Sequence, residues 1–224
     1  MEFRHELKYT LNFLDYMEIR QRLRAVFPAD EHTNEKGEYF IRSLYFDNPE
    51  DKALREKLDG VNKREKFRLR YYNFDVSQIQ LEKKSKINGL CNKRQSTVSK
   101  EQVQSLLDGK LDWMSQSGDE LLTELYSKIN SQQLRPKTIV DYTREPFVFA
   151  PGNVRITLDR GIRTGLNSTD FLNPGVPTVS AGEPVIILEV KFDEFLPQLV
   201  RDVVQLNSRR ASAFSKYGVC RIYG

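Results

Sequence analysis

The stretch FRLRYYNFDVSQIQLEKKSKINGL, residues 67–90, decides the fold. In FRLRYY, Arg68 and Arg70 alternate with Phe67, Leu69 and Tyr71; in LEKKSK, residues 81–86, Glu82, Lys84 and Lys86 stand two apart. Side chains on a strand alternate between faces, so each segment reads as a strand with its charged set on one side. Asn88-Gly89 then supplies a hairpin turn signal, with Leu90 to Ser96 returning as a third strand.

The same spacing recurs along the chain, in Glu6 and Lys8 with Arg4 before them, Tyr142 and Arg144, Arg155 with Thr157 and Asp159, and Glu189 and Lys191. A single strand of this kind is ordinary, because one face of a half-buried antiparallel sheet meets water. The sign of the charge argues for something else. Ten cations (Arg4, Lys8, Arg68, Arg70, Lys84, Lys86, Arg144, Arg155, Lys191, Lys216) stand against four carboxylates (Glu6, Glu82, Asp159, Glu189), a net of +6 on a chain whose total is +4. Solvated surfaces mix signs to limit self-repulsion. The arrangement expected is an α+β fold in which an antiparallel β-barrel points its charges inward and its apolar faces outward, under flanking helices.

Length and the absence of a Gly/Ser-rich linker suit one domain over residues 1–224. Cys91 and Cys220 are far apart and have no metal-ligand spacing, so both read as reduced thiols. The opening MEFRHELKY has no apolar leader, and no run reaches the roughly 20 apolar residues that span a bilayer. A soluble, cytoplasmic protein is expected. A net charge of +4 is too mild to imply nucleic acid, and none is expected as a partner.

Around these strands the sequence predicts helices. Thr10 or Asn12 caps one carrying Phe13, Met17, Leu23 and Phe27, and Pro28 ends it. Asn48-Pro49 opens a short helix to Leu58, Ser99 with Gln102 forms a capping box, and Asp119 to Ile129 and Pro197 to Leu206 are further helices. Further strands are expected at Tyr39–Asp47, Lys66–Tyr72, Ile79–Lys86, Thr138–Phe149, Val154–Asp159 and Val185–Phe192. YFIRSLYFD, residues 39–47, is apolar on both faces, which leaves the direction of Arg42 open. Gly161 to Pro184, rich in Gly, Pro, Ser, Thr and Asn, reads as a mobile flap or partly ordered loop. Trp113 and the many Tyr and Phe side chains are expected between helices and barrel, and His5, opposite in parity to Glu6 and Lys8, outside it.

A lining of Arg and Lys suits a polyphosphate anion, because guanidinium forks grip phosphate oxygens in pairs and ammonium groups supply point charge. Its carboxylates would repel that anion directly, a conflict that a divalent cation resolves. Phosphoryl transfer is the matching chemistry, with either water or a second phosphate as the attacking group. The sequence holds no Gly-rich phosphate loop, metal-spaced Cys/His cluster or Ser/His/Asp set.

HELKY, YFD, FRLRYY, LEKKSK, DYTREPF, VRITLD, LEVKF and FSKYG follow one another over nearly the whole chain. In that order they resemble the catalytic domain of the vacuolar transporter chaperone (VTC) family, a branch of the triphosphate tunnel metalloenzymes. The resemblance implies an eight-stranded antiparallel tunnel. It implies transfer of the γ-phosphate of ATP to a growing polyphosphate chain, with Mn²⁺ or Mg²⁺ as cofactor. Lys8, Arg68, Arg70, Lys84, Arg144 and Arg155 would act on the phosphates, with Tyr142, Lys86, Lys191, Ser215 and Lys216 as further substrate contacts. Glu189 would be the leading metal ligand, and Glu6 and Glu82 would hold metal-bound water or orient the cations. Arg4 replaces the first Glu of the ExExK opening that marks the CYTH triphosphatase and cyclase branch, and Ala213 replaces the first Lys of a KFSK motif. A tunnel triphosphatase acting on tripolyphosphate or a nucleoside triphosphate shares the same residues, and a non-catalytic polyanion-binding module is the third reading. Any coupling to translocation implies a separate membrane partner. Because each removes a repelled cation, Arg70→Ala and Lys84→Ala are expected to leave thermal stability unchanged or raised.

Overall fold

Asn88 and Gly89 both take positive φ, 50° and 83°, which is the backbone of a two-residue hairpin turn whose twist matches the strands it joins. That turn sets Ile87 at the end of β4 (Asp75–Ile87) opposite Leu90 at the start of β5 (Leu90–Val98). β4 pairs in turn with β3 (Arg64–Tyr72), and the pairing continues strand by strand around a curled sheet. The structure is a computed structural model and describes residues 3–206 and 209–223. Among these, the remaining strands are β1 (His5–Leu11), β2 (Tyr39–Asp47), β6 (Arg135–Phe149), β7 (Val154–Thr164), β8 (Val179–Ser180) and β9 (Ile186–Phe192).

Eight strands follow one another in the order β1-β9-β7-β6-β2-β3-β4-β5, all antiparallel, while the short β8 pairs with β7 alone. The curl brings the two edge strands together. Arg4 and Cys91 exchange both backbone hydrogen bonds, at 2.9 and 3.0 Å, and close the sheet into a tunnel at that point. This is the α+β antiparallel architecture that the alternating charges predict.

Two apolar cores lie outside the tunnel. Leu44, Phe46, Phe67, Leu69, Tyr71, Ile79 and Leu81 pack under α3 (Lys100–Leu107), α4 (Asp112–Ser115) and α5 (Glu120–Gln132). Leu11, Ile156, Leu158, Leu188 and Val190 pack under α1 (Phe13–Val26) and α6 (Gln198–Val204). Both α1 and α3 start with a reciprocal capping box, Asn12 with Asp15 and Ser99 with Gln102. A third cluster lies inside the sheet, where Ile41, Val140, Ile162 and Ile187 meet Tyr217 and Cys220 of α7 (Lys216–Ile222) and Ala53 of α2 (Lys52–Leu58). The interior is therefore charged over only part of its length.

Three local readings change. Asn48 is not the N-cap residue of α2: the helix starts at Lys52, whose amide donates to Asn48 Oδ1 at 2.9 Å, and the Asp47 carboxylate accepts from the Ala53 and Leu54 amides and from the Tyr217 hydroxyl. β7 does not stop at Asp159. Gly161 at φ 62° lets the strand absorb an extra residue opposite β6 and run on to Thr164. The segment after it is packed in place, with Phe171 wholly buried, its carbonyl accepting from Tyr71 Oη at 3.0 Å, and that of Asn173 accepting from Arg42 at 2.7 Å. Arg42 turns outward and grips Asp141 through two hydrogen bonds of 2.9 and 2.8 Å.

Candidate active site

Strand register decides which charges meet inside the tunnel. Lys8 stands opposite Glu189 and Glu6 opposite Lys191 between β1 and β9, Arg144 opposite Asp159 between β6 and β7, and Arg68 opposite Glu82 between β3 and β4. Directly opposed residues on one face of an antiparallel pair are close enough to interact, so these four registers write ion pairs into the sheet.

The pairs are deep. Glu82, 2% exposed, takes Arg68 at 2.6 Å, Arg70 at 3.6 Å and Lys93 at 3.4 Å. Asp159, wholly buried, takes Arg144 through bonds of 2.6 and 2.7 Å and Lys216 at 2.5 Å. Glu6 meets Lys84 at 2.5 Å and Lys8 at 3.5 Å, and Glu189 meets Lys191 at 2.9 Å and Lys8 at 3.5 Å. Tyrosines complete the frame, with Tyr45 Oη accepting from Arg68 at 2.7 Å and Tyr142 Oη from Arg70 at 3.0 Å. Arg144 and Lys216 also lie over the Tyr142 ring, at 5.5 and 4.7 Å from its centroid.

The cations, the tyrosines, Glu6 and Glu189 line a cavity of about 560 Å³, with Glu82 and Asp159 set behind its wall. It follows β3 over the nine residues from Arg64 to Tyr72, roughly 26 Å of strand. Thirteen of the fourteen residues singled out from the sequence line it: Lys8, Arg68, Arg70, Lys84, Arg144, Arg155, Tyr142, Lys86, Lys191, Ser215, Lys216, Glu189 and Glu6. Glu82 does not reach the wall and sits behind Arg68 as its counter-ion. Arg155 stands toward the Tyr39 end, bound to Tyr39 Oη at 2.8 Å and Asp30 at 2.9 Å. Ser215 caps α7 through the Gly218 amide and accepts from Lys66 Nζ at 3.0 Å. Arg4, held by Asp193, and His5, stacked on Phe192, also line the cavity, so His5 is not wholly outside the barrel as its parity suggests.

Proton affinities follow from this crowding. Burial and Glu189 push the Glu6 carboxyl up, but Lys84, Lys8 and Lys191 outweigh them and bring it to about 2. Burial likewise opposes the charge on Asp159, and Arg144 and Lys216 hold it at about 2. The Arg70 guanidinium resists burial and Arg68 because Glu82 answers both, so its charge is held more firmly than in water. This reverses the expectation for Arg70→Ala, which removes an answered cation along with its bonds to Ser43 and Tyr142. Lys84 differs: burial and Lys8 lower its proton affinity against the pull of Glu6, which it meets at 2.5 Å.

Lys66 is one of the lining cations that the sequence pattern missed, with Lys57, Arg64, Lys93 and Arg94. Burial first, then repulsion from Lys8, Lys84, Lys57 and Arg64, lowers its pKa to about 7. Parity with Arg68 and Arg70 was the available signal. A lysine depressed in the fold binds fewer protons than the unfolded chain between pH 7 and its ordinary value of 10.5, so this group makes stability rise with pH across that window. Lys66→Met should therefore stabilise the ligand-free protein at or below neutral pH, by on the order of a few kcal/mol, and flatten that rise. Thermal melts from pH 6 to 10 check it, and an unchanged slope would contradict it. Tyr39, Tyr45 and Tyr72 line the tunnel, where the sequence predicts packing between helix and barrel. Trp113 does pack in the outer core.

The donor set for a cation is small. Among the described residues no group of three or more His, Cys, Asp or Glu side chains is arranged to hold a metal. Glu6 and Glu189 are near enough to interact, and Thr157, directly opposite Glu189, buries a hydroxyl with no protein partner. Two carboxylates and an unpartnered hydroxyl fit a hard divalent ion that takes its remaining ligands from phosphate and water.

The sequence matches the VTC domain over residues 3–223. No curated protein matches it. Among solved structures, it resembles one described as a "putative adenylate cyclase" from Bacillus halodurans, with a TM-score of 0.51, 15% identity, and coverage of 85% of this chain and 80% of that one. The PH1819 protein from Pyrococcus horikoshii is a further match, with a TM-score of 0.42 at 14% identity over 90% and 84% of the two chains. In the described residues no helix is long and apolar enough to cross a membrane.

Proposed function

Because the chain belongs to the VTC domain family, we propose that it is a metal-dependent phosphotransferase that moves the γ-phosphate of ATP onto a growing polyphosphate chain inside the tunnel. The observation that carries this reading is the cavity itself, an elongated space walled by cations that buried carboxylates hold in place. Positioning and charge neutralisation supply most of the acceleration in phosphoryl transfer. Arg68, Arg70 and Arg144 offer forks fixed by Glu82 and Asp159 before any ligand arrives, so little ordering remains when phosphate binds. Lys84, Lys86, Lys191 and Lys216 add point charges along the same wall, with Lys8 between Glu6 and Glu189.

A terminal oxygen of the acceptor chain attacks the γ-phosphorus, the bond to the bridging oxygen of ADP breaks, and ADP leaves with the negative charge. A Mn²⁺ or Mg²⁺ ion held by Glu6 and Glu189 would neutralise phosphate oxygens as that charge develops. Thr157 would donate its hydroxyl to a phosphate or water oxygen beside Glu189. No side chain has to become a nucleophile.

Incubation with ATP and Mn²⁺, with products sized on a gel, tests the reading. Polymer longer than the substrate is expected. Free phosphate alone would assign a triphosphatase, and metal-independent binding without turnover a polyanion-binding module.

A further inference from the structure

The cations of the tunnel fall into two sets. Arg68, Arg70 and Arg144 each meet a buried carboxylate. Toward the Arg64 end of β3 the pattern changes. Arg64 stands opposite Lys86 and Lys66 opposite Lys84, so two successive registers of the ladder place cation against cation, where the next charged pair along sets Arg68 against Glu82. Lys57, from the last turn of α2, lines the same end of the cavity. Among the described residues, Lys57, Arg64, Lys66 and Lys86 reach no carboxylate. Arg64 donates to the Val61 carbonyl and Lys66 to Ser215.

Like charges set directly opposite one another destabilise a sheet. Here they are part-buried and concentrated at one end, and an anion is what relieves them. The other end of the cavity differs. Tyr39 and Tyr72 meet edge to face there at 5.3 Å, and Arg155 is already held by Asp30. The cavity is thus polarised along its axis, paired cations in the middle and unanswered ones beside α2.

We propose that Lys57, Arg64, Lys66 and Lys86 form a second anion subsite that holds the linear polyphosphate chain where it extends beyond the phosphates gripped by Arg68, Arg70 and Arg144. The inference rests on reading the tunnel as a polyphosphate site and adds the direction in which the chain lies. Successive phosphates of one chain would exchange the repulsion among these side chains for attraction. A triphosphate held by the central arginines is too short to reach all four.

The test compares wild-type protein with Lys57→Gln/Arg64→Gln, two positions outside the central set. Binding of tripolyphosphate and of a long linear polyphosphate is measured by calorimetry over a range of salt. Wild type should bind the long chain more tightly. The double variant should lose roughly tenfold of that affinity at low salt and less than about twofold for tripolyphosphate. Its salt slope for the long chain should fall by about 1.4, at about 0.7 per phosphate contact as for single-stranded polyanions. A melting temperature equal to or above that of wild type would show the variant folded, because the substitutions remove like-charge repulsion. Equal losses for both ligands would merge these residues with the triphosphate site and overturn the inference, and so would no loss for the long chain. Wild type that binds neither ligand would defeat the functional reading itself, a distinguishable result.

Discussion

Glu82→Ala should lower the melting temperature by roughly 6–20 °C, the largest stability effect expected of any single change in the tunnel. The carboxylate is the shared counter-ion of Arg68 and Arg70, both of which sit against it in the interior. Removing one partner of a buried ion pair costs about 3–5 kcal/mol, because the charge left behind has neither water nor partner. For a chain of this size each kcal/mol is worth about 2–4 °C. Calorimetry with and without tripolyphosphate checks the reasoning. The anion should restore part of the loss, since phosphate oxygens can stand where the carboxylate stood. A melt unaffected by the substitution would mean that Arg68 and Arg70 find other partners, and a loss seen only with metal present would make Glu82 a ligand after all.

Glu189→Gln should separate binding from turnover. Glu189 is 5% exposed, lies opposite Thr157 and Lys8 in its two registers, and meets Lys8 and Lys191. Burial raises its pKa, but Lys191, Lys8, Lys84 and Arg144 outweigh that and hold it ionised well below the ordinary carboxylate range. A neutral amide keeps the shape and loses the charge that a divalent cation needs. Metal-stimulated turnover should fall by at least about 100-fold, since a metal ion supplies several kcal/mol of charge stabilisation to the transition state. Tripolyphosphate affinity in the presence of a chelator should stay level or tighten, because one negative charge facing the anion is gone. Retained turnover would remove Glu189 from the metal site; affinity lost in parallel with turnover would make it a structural counter-ion.

How much of this was legible depended on which physical rule governed each residue. Period-two alternation exposed the charged faces of β1, β3, β4, β6, β7 and β9, because inward and outward positions differ in polarity. It failed on β2, where Tyr39 and Tyr45 face the tunnel while Leu44 and Phe46 face the outer core, and where hydrophobicity alone carries no direction. It missed the two-residue turn at Asn73-Phe74, since Phe at φ 61° is uncommon, and the packing of Phe74 on Phe40 explains why it is accepted. Gly161, at φ 62°, marks a bulge that a lone glycine in a strand pattern does not distinguish from a strand end. Composition made the segment after it look mobile, yet Phe171 buries against Tyr71 and holds it.

The balance of charge was the deeper gap. Spacing showed that Glu82 and Asp159 share a face with cations, but not that register sets each against an arginine across the strand. Lys66 escaped for the converse reason: its parity was plain, and its lack of a carboxylate partner is a property of three dimensions.

The most direct test is a crystal structure with tripolyphosphate and Mn²⁺, read with the anomalous signal of manganese. The manganese peak should fall beside Glu189 and Glu6, with phosphates against Arg68, Arg70 and Arg144. Manganese and phosphate found together outside the tunnel, with the arginines still bound only to Glu82 and Asp159, would contradict the account.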